Sequence, residues 1–282
     1  MFLIVDSGSS KSDWVLIENE RKQKFYSTMV FNPVFQDEIQ IIDGIKENRD
    51  LIVCAAKVKS VYFYGAGCSS DSSISIVEHA LKKVFEHANI SVQNDLVACA
   101  YATFQGKPAI SCIIGTGSNS CYFDGKQIYQ EVPALGYILG DEGSGSYFGK
   151  QLLAAYLYKK LPKNIEEDFK NEFHLNKEKI VENVYLKPNA NVYLASFMKF
   201  ISKHSQELFF SQMIYEGMKK FMEIHVCCYE NYKNMDVHFV GSIASIFKKE
   251  LQIAANELDI KIGQIIEKPI EGLVNYHLNK YC

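Results

Sequence analysis

Residues 109–123, AISCIIGTGSNSCYF, decide the fold: an apolar run meets a turn of glycine, threonine, serine and asparagine, and a second apolar run follows. Residues 2–17, FLIVDSGSSKSDWVLI, have the same form. Each stretch is typical of a β-hairpin with an unusually polar tip, and a third strand is expected after each, at residues 24–27 and 127–132. The same three-strand opening therefore occurs twice, which indicates two related halves.

Helical and extended patterns follow each opening in the same order. In the first half we expect helices at residues 36–48 and 72–88, strands at 61–64 and 90–93, and a further helix. In the second half we expect helices at residues 143–160 and 244–258, strands at 237–240 and 261–266, and a last helix. The sequence thus predicts an α/β fold of two βββαβαβα lobes, residues 1–106 and 107–282, with a helical insertion at about residues 161–235 in the second lobe.

Composition excludes several classes of protein. The chain has 282 residues, 48% of them apolar, and a formal net charge of −3, with no basic run longer than two residues. This length supports two folded cores, and the charge gives no electrostatic footprint for nucleic acid. Without eighteen consecutive apolar residues or a basic flank at the N terminus, we expect neither a membrane span nor a signal peptide. Eight cysteines without a C-x-x-C pair are typical of buried residues in a reducing cytoplasm, so we expect a cytoplasmic protein.

Glycine is concentrated in one segment, because nine of the seventeen glycines lie between Gly106 and Gly149. Within it, Gly115-Thr116-Gly117-Ser118-Asn119 is either an ordinary hairpin turn or a loop whose backbone N–H groups approach a phosphate. The tip of the first hairpin, residues 6–12, is also rich in glycine and serine. Two such tips that faced each other across a cleft would hold a polyphosphate.

Four charged side chains near these loops each have two interpretations. Asp6 either caps a turn or organises Mg²⁺, and Lys11 is either solvated or near a phosphate. Asp95 is either the N-cap of a helix or a general base for phosphoryl transfer. Asp141, in Gly140-Asp141-Glu142-Gly143-Ser144-Gly145, either belongs to a loop before a helix or accepts hydrogen bonds from a polyol substrate. No histidine or cysteine spacing is typical of a bound metal, so Mg²⁺ would arrive with nucleotide phosphates.

Six motifs occur in the order found in one known family. They are Asp6-x-Gly8-x-Ser10-Lys11-x-Asp13, Asn32-Pro33, Asn94-Asp95, Gly115-Thr116-Gly117-Ser118-Asn119, Gly140-Asp141-Glu142-Gly143-Ser144-Gly145 and Val240-Gly241-Ser242. Over essentially its whole length, the sequence resembles the N-acetylglucosamine kinases, which belong with the BadF-type ATPases in the sugar kinase, Hsp70 and actin superfamily. The resemblance implies a two-lobed, actin-like (ribonuclease H-like) fold, with ATP and Mg²⁺ in the cleft, and a homodimer.

The resemblance also implies roles for particular residues. Asp95 matches the catalytic base, and Asp6 matches the residue that organises Mg²⁺ through water. The residues that would approach the ATP phosphates are Gly8, Ser9, Ser10, Lys11, Gly115, Thr116, Gly117 and Ser118. Gly241 and Ser242 would lie beside adenosine. The sugar contacts would be Asn32, Asn119, Gly136 and Asp141.

One segment departs from the family pattern. Kinases of known sugar specificity carry Gly-Trp-Gly where this chain has Ala134-Leu135-Gly136, so the wall of the sugar pocket is altered. We predict an ATP-dependent kinase that acts on a hydroxyl of an amino sugar such as N-acetylglucosamine or glucosamine. One alternative is an ATPase activator of a CoA-linked reductase or dehydratase, for which Cys68 is the single candidate ligand of an iron–sulfur cluster. Another is an actin-like nucleotide sensor without transfer chemistry.

Overall fold

The chain forms two compact units. The structure, a computed structural model, describes residues 1–8, 11–19 and 22–281. Unit 1 comprises Met1–Gln105 and Lys268–Cys282, and unit 2 comprises Gly106–Glu267. No helix within the described ranges is long and apolar enough to cross a membrane.

Unit 1 contains a mixed β-sheet with helices packed against both faces. Its strands are β1 (Phe2–Ser7), β2 (Ser12–Asn19), β3 (Lys22–Thr28), β4 (Ser60–Gly65) and β5 (Asn89–Asn94). Its helices are α1 (Glu38–Lys46), α2 (Arg49–Ala55), α3 (Asp71–Val84), α4 (Asp95–Thr103) and the C-terminal α14 (Ile270–Tyr281). In the described residues the strand order is β3-β2-β1-β4-β5. Strands β1 to β3 pair antiparallel, whereas β4 and β5 run parallel to β1.

The apolar residues of β1 explain the two layers of helices. Leu3 and Val5 lie in one core, together with apolar residues of α1 and α3. Ile4 lies in a second core, together with Ala98 of α4 and Leu273 of α14. Successive side chains of a strand point to opposite faces, so a strand that is covered on both faces needs a continuous apolar run. Strand β1 therefore shows an uninterrupted run rather than an alternation.

The last helix packs in unit 1, although it follows the last strand of unit 2. Tyr276 of α14 stacks on Tyr101 of α4, with the ring centroids 4.1 Å apart. Gly272 lies directly against the backbone of α4, where a side chain would not fit. The second lobe, expected at residues 107–282, therefore ends earlier, because residues 268–282 belong to unit 1. Helical periodicity did not indicate this, since an amphipathic pattern does not specify the partner of a helix.

Unit 2 repeats the sheet of unit 1 and adds further helices. Its strands are β6 (Ala109–Ile114), β7 (Ser118–Phe123), β8 (Ile128–Tyr129), β9 (Asp236–Val240) and β10 (Lys261–Ile266). Its helices are α5 (Gly136–Leu139), α6 (Gly145–Leu157), α7 (Lys163–Phe173), α8 (Lys177–Val181), α9 (Ala190–Ala195), α10 (Met198–Lys203), α11 (Leu208–His225), α12 (Ser242–Ile246) and α13 (Lys248–Glu257). A π-helix at Glu182–Leu186 and a 3₁₀ helix at Tyr232–Asn234 complete the unit.

The two sheets share one topology. Over the described residues the strand order of the second sheet is β10-β9-β6-β7-β8. Strands β6 to β8 pair antiparallel, and β9 and β10 run parallel to β6, as in unit 1. The predicted α/β fold with a duplicated three-strand opening is therefore confirmed.

The predicted elements differ from the observed ones mainly at their ends. The helix expected at residues 244–258 is two helices, because the buried Phe247 (φ −104°, ψ 39°) leaves the helical region. The strand expected at residues 127–132 is shorter, and the stretch at about 161–235 contains α7 to α11. Helices α2 and α5 were not predicted, because seven and four residues are too few for helical periodicity to be visible.

Candidate functional site

Three carboxyl groups of unit 1 lie at one edge of its sheet. Asp6 is near the end of β1, opposite Asp13 of β2 and beside Tyr64 of β4 in the strand register. Asp95 follows β5 directly and is the first residue of α4. Strands β1, β4 and β5 are parallel neighbours, so their carboxyl ends meet at this edge, where open α/β sheets bind ligands. The sheet thus brings together two predicted site residues, Asp6 and Asp95, and adds Asp13.

Asp6 has an unusual electrostatic environment. Burial, followed by the negative charges of Asp13 and Asp95, raises the pKa of Asp6 to about 7, and the charge of Lys268 opposes this shift. Lys268 Nζ lies 3.3 Å from Asp13 Oδ2, and Lys11 Nζ lies 2.5 Å from Asp13 Oδ1. An added cation near Asp6 would favour its ionised form. The donor set and its charge therefore fit a divalent cation held near Asp6.

Asp95 is half-buried at the N terminus of α4, and burial raises the pKa of its carboxyl. The backbone N–H groups of Leu96 and of Asp95 itself lower that pKa in part. The N-cap of α4 is Asn94, whose side chain accepts a hydrogen bond from the N–H of Val97 at 3.0 Å. The interpretation of Asp95 as an N-cap is therefore wrong. A carboxyl with a raised pKa is a stronger proton acceptor than an ordinary aspartate.

The tip of the first hairpin lies beside this acid group. The N–H of Gly8 donates to Lys11 O at 3.2 Å and closes the turn. Ser9 and Ser10, two of the residues expected to approach phosphates, lie outside the described residues. The ammonium group of Lys11 pairs with Asp13, and this hydrogen bond raises the pKa of Lys11. Lys11 is therefore a cation at the edge that carries the three acids.

Two buried serines flank the turn of this hairpin, and neither was predicted to be a site residue. Ser7 Oγ lies 2.8 Å from Ser12 Oγ, donates to Phe31 O at 2.9 Å and accepts from the Phe31 N–H at 3.0 Å. The next residue is Asn32, an expected sugar contact, which lies against Gly67. The serines thus tie the segment that carries Asn32 to the hairpin tip. Their signal in the sequence was a pair of serines at facing positions on either side of the turn.

In unit 2, the glycine-rich turn between β6 and β7 is bound to the start of α6. The N–H of Gly145 donates to Gly115 O at 2.8 Å, and the N–H of Ser146 donates to Thr116 O at 3.0 Å. Helix N termini carry N–H groups that lack partners within the helix. Here two of those groups bind the turn, so the two glycine-rich segments of the sequence bind each other.

Asp141 joins this turn through its carboxylate. The N–H of Ser118 donates to Asp141 Oδ1 at 3.3 Å, and Ser118 Oγ donates to Glu142 O at 2.8 Å. A Cβ at Gly117 would lie 3.0 Å from Asp141 Oδ2, so this carboxylate lies against the turn. Burial raises the pKa of Asp141, and the hydrogen bond from Ser118 opposes that shift. The N–H and the hydroxyl of Ser118 thus both bind the loop that carries Asp141, whereas they were expected to bind a phosphate.

Two other expected contacts are also fixed by neighbours in unit 2. Asn119 Oδ1 accepts a hydrogen bond from Gln130 Nε2 at 2.8 Å. Gly241 has a φ of +128° and lies against the carbonyl of Ile114, where a side chain would not fit. The start of α12 is therefore beside the β6–β7 turn, and Ser242 is exposed there.

The segment before Asp141 is apolar and exposed. Gly136, at φ +69°, begins α5. The large aliphatic side chains of Leu135, Ile138 and Leu139 are all more exposed than buried. This segment replaces the tryptophan-containing motif, so the departure seen in the sequence is an exposed aliphatic surface.

Metal-binding groups are few. Over the described part of the chain, no group of three or more His, Cys, Asp or Glu residues is arranged to hold a metal ion by itself. A Mg²⁺ near Asp6 would therefore take further ligands from phosphate and water. Burial raises the pKa of the Cys68 thiol to about 12.

Comparison with known proteins identifies the family. No protein-family model matches the sequence, and no curated protein matches it. The solved structure of a candidate N-acetylglucosamine kinase from Porphyromonas gingivalis is 35% identical to this chain, with a TM-score of 0.93 over 100% of both chains.

More distant structures share the fold. A candidate N-acetylglucosamine kinase from Chromobacterium violaceum is 11% identical, over 98% of this chain and 99% of that chain, with a TM-score of 0.67. A ROK family glucokinase from Streptomyces griseus, in complex with glucose and AMPPNP, is 13% identical, over 98% of this chain and 97% of that chain, with a TM-score of 0.53. From the full-length identity to the first of these structures, we conclude that the chain belongs to the N-acetylglucosamine kinase family, sugar kinases with the actin-like ATPase fold.

Proposed function

We propose that this sugar kinase transfers the γ-phosphoryl group of ATP to a hydroxyl of an amino sugar such as N-acetylglucosamine or glucosamine. The observation that carries the proposal is the half-buried carboxyl of Asp95, with its raised pKa, at the same sheet edge as Asp6. The Porphyromonas gingivalis relative is named for N-acetylglucosamine. A glucokinase of the same fold forms a complex with glucose and AMPPNP, which supports the use of a nucleotide.

Asp95 is the general base of this proposal. It accepts the proton of the sugar hydroxyl while that oxygen attacks the γ-phosphorus, the bond from the γ-phosphorus to the bridging oxygen breaks, and ADP leaves. Since burial raises the pKa of Asp95, the carboxyl holds this proton more readily than an exposed aspartate would.

Asp6 is the residue that would hold Mg²⁺, through water. Bound Mg²⁺ neutralises phosphate charge during transfer. Gly8 and Lys11 belong to the same hairpin and would approach the phosphates, and Lys11 would exchange its partner Asp13 for a phosphate oxygen.

The remaining contacts of the proposal are those that the family resemblance predicts. Gly115, Thr116 and Gly117 would approach the phosphates through a turn that α6 holds in place. Ser118 would contribute by holding Asp141 rather than by binding phosphate. Adenosine would lie beside Gly241 and Ser242. The sugar would be bound by Asn32, Asn119, Gly136 and Asp141.

The test is ADP release from Mg²⁺-ATP in the presence of glucosamine, N-acetylglucosamine, N-acetylmuramic acid, N-acetylmannosamine or glucose. We expect strong stimulation by an amino sugar, with the sugar phosphate detected by mass spectrometry. Asp95→Asn is expected to lower kcat by a factor of roughly 10² to 10⁴ while ATP still binds. Asp43→Asn, at an exposed position of α1, is the matched control. A near-normal rate for Asp95→Asn, or slow ATP hydrolysis that no sugar stimulates, would contradict the proposal.

A further inference from the structure

The loop of residues 140–144 is held from two sides within unit 2. On one side, Ser118 binds Asp141 and the carbonyl of Glu142. On the other side, Gly143 lies on α11: a Cβ there would be 3.0 Å from Gly217 O and 3.1 Å from Phe221 Cβ. Helix α11 lies in the stretch that was predicted to be a helical insertion. The structure thus places part of that insertion directly under the loop that carries Asp141.

His225 is the last residue of α11 and faces this loop. Its side chain is buried, and its ring stacks on Phe221 with the centroids 5.0 Å apart. His225 Nε2 lies 3.8 Å from Glu142 Oε2, and the Glu142 side chain is only 12% exposed. Burial lowers the pKa of His225, which favours the neutral ring. Among the described residues, Nδ1 has no hydrogen-bond partner, and the ring nitrogen that faces Glu142 is Nε2.

The backbone of His225 is fixed as well. Ser120 Oγ donates to His225 O at 2.6 Å and lies 3.2 Å from the hydroxyl of Tyr229. Ser120 belongs to β7, the strand that begins with Ser118. Strand β7 therefore contains Ser118, which binds Asp141, and Ser120, which binds the backbone of His225. Both sides of the loop are thus connected to the same strand.

The loop needs such support. Asp141 has a φ of 57° and Gly143 a φ of +70°, so a non-glycine residue occupies the left-handed region. That conformation costs free energy and persists only where its surroundings impose it. The contact on Glu142, directly after Asp141, opposes relaxation of this backbone.

We propose that His225 and Glu142 are positioning residues that fix the carboxylate of Asp141 for the sugar, so that helix α11 sets the affinity for the sugar. The inference rests on the proposed function, because it takes Asp141 as a sugar contact. Neither residue touches a reacting atom in this scheme. The pair acts through the backbone of the loop.

The test compares variants of the pair in steady-state kinetics. His225→Leu keeps an apolar side chain without a donor, and we expect the KM for the sugar to rise on the order of tenfold, while kcat and the KM for ATP stay within about twofold. His225→Gln keeps a donor at the position of Nε2 and is expected to restore most of the sugar affinity. The double variant His225→Leu with Glu142→Gln is expected to be no worse than the worse single variant.

His204→Leu is the matched control. His204 is a half-buried histidine of the same helical stretch, and its Nε2 lies 3.7 Å from Asp168 Oδ2. We expect it to leave the KM for the sugar unchanged. The positioning role would be overturned if His225→Leu lowered kcat and raised both KM values to the same extent. It would also be overturned by additive losses of sugar affinity in the double variant, or by no rescue in His225→Gln.

Hydrogen exchange separates this inference from the proposed function. The amide of Ser118, which binds Asp141, is expected to exchange roughly tenfold faster in His225→Leu than in the wild type and to be unchanged in His204→Leu. This measurement needs no sugar. If the wild type phosphorylates no sugar, the proposed function fails, and an unchanged Ser118 amide in His225→Leu would in addition refute the positioning pair.

Discussion

Asp6→Asn is expected to stabilise unit 1 at neutral and alkaline pH while it removes kinase activity. In the folded chain the pKa of Asp6 is about 7, against an ordinary value of 3.8. The folded state therefore retains a proton that the unfolded chain has lost, and stability decreases as the pH rises from about 4 to 7. A shift of about three pKa units corresponds to up to about 4 kcal/mol above pH 7. Asparagine keeps the size of the side chain and has no charge to bury.

The assay is urea unfolding followed by the fluorescence of Trp14, the only tryptophan of the chain, which is buried in the core of unit 1. We expect the advantage of Asp6→Asn over the wild type to grow by up to about 3 kcal/mol between pH 5 and pH 8. Asp43→Asn, an exposed change in the same unit, is expected to show no such growth. An advantage that is equal at the two pH values, or a loss of stability at pH 8, would refute the reasoning.

Two further changes test the geometry of the site. Lys268→Met removes the cation that lowers the pKa of Asp6, so Asp6 would ionise at higher pH. We expect the rising limb of the pH profile of kcat/KM for Mg²⁺-ATP to move to higher pH. A limb that does not move would show that ionisation of Asp6 does not control metal binding. Gly241→Ala places a side chain against Ile114 O at a backbone φ of +128°. We expect the free energy of unfolding in urea to fall by about 2 kcal/mol or more. An unchanged unfolding midpoint would contradict the close approach.

Local patterns were enough to predict the elements that carry the site. The run from Leu3 to Val5 is continuously apolar because both faces of β1 are covered, and such a run is visible in the sequence before its partner strands are known. The polar hairpin tips and the acids after strands follow from the same local chemistry. Motif order along the chain then indicated the family, and full-length identity to a solved relative confirmed it.

Contacts between residues that are distant in the chain could not be predicted from the sequence. Asn94 rather than Asp95 caps α4, although the two are adjacent and both are good caps, because the backbone leaves the helical region at Asn94. Helix α14 packs on unit 1, and nothing in its own amphipathic pattern specifies that partner. The role of Ser118 depends on Asp141, which lies twenty-three residues away in the chain.

The sequence alone determined the duplicated α/β lobes, the glycine-rich turns and the kinase family, because apolar runs, turn chemistry and motif order can be read along the chain. Only the tertiary structure decided which groups interact electrostatically and which form hydrogen bonds with each other. The raised pKa of Asp6 requires burial and two other acids, one on β2 and one at the start of α4, and the contact of His225 with Glu142 requires α11 to pack under a loop some eighty residues earlier. The pKa of Asp6 and this contact depend on distances in space, and these cannot be read from the spacing of residues along the chain.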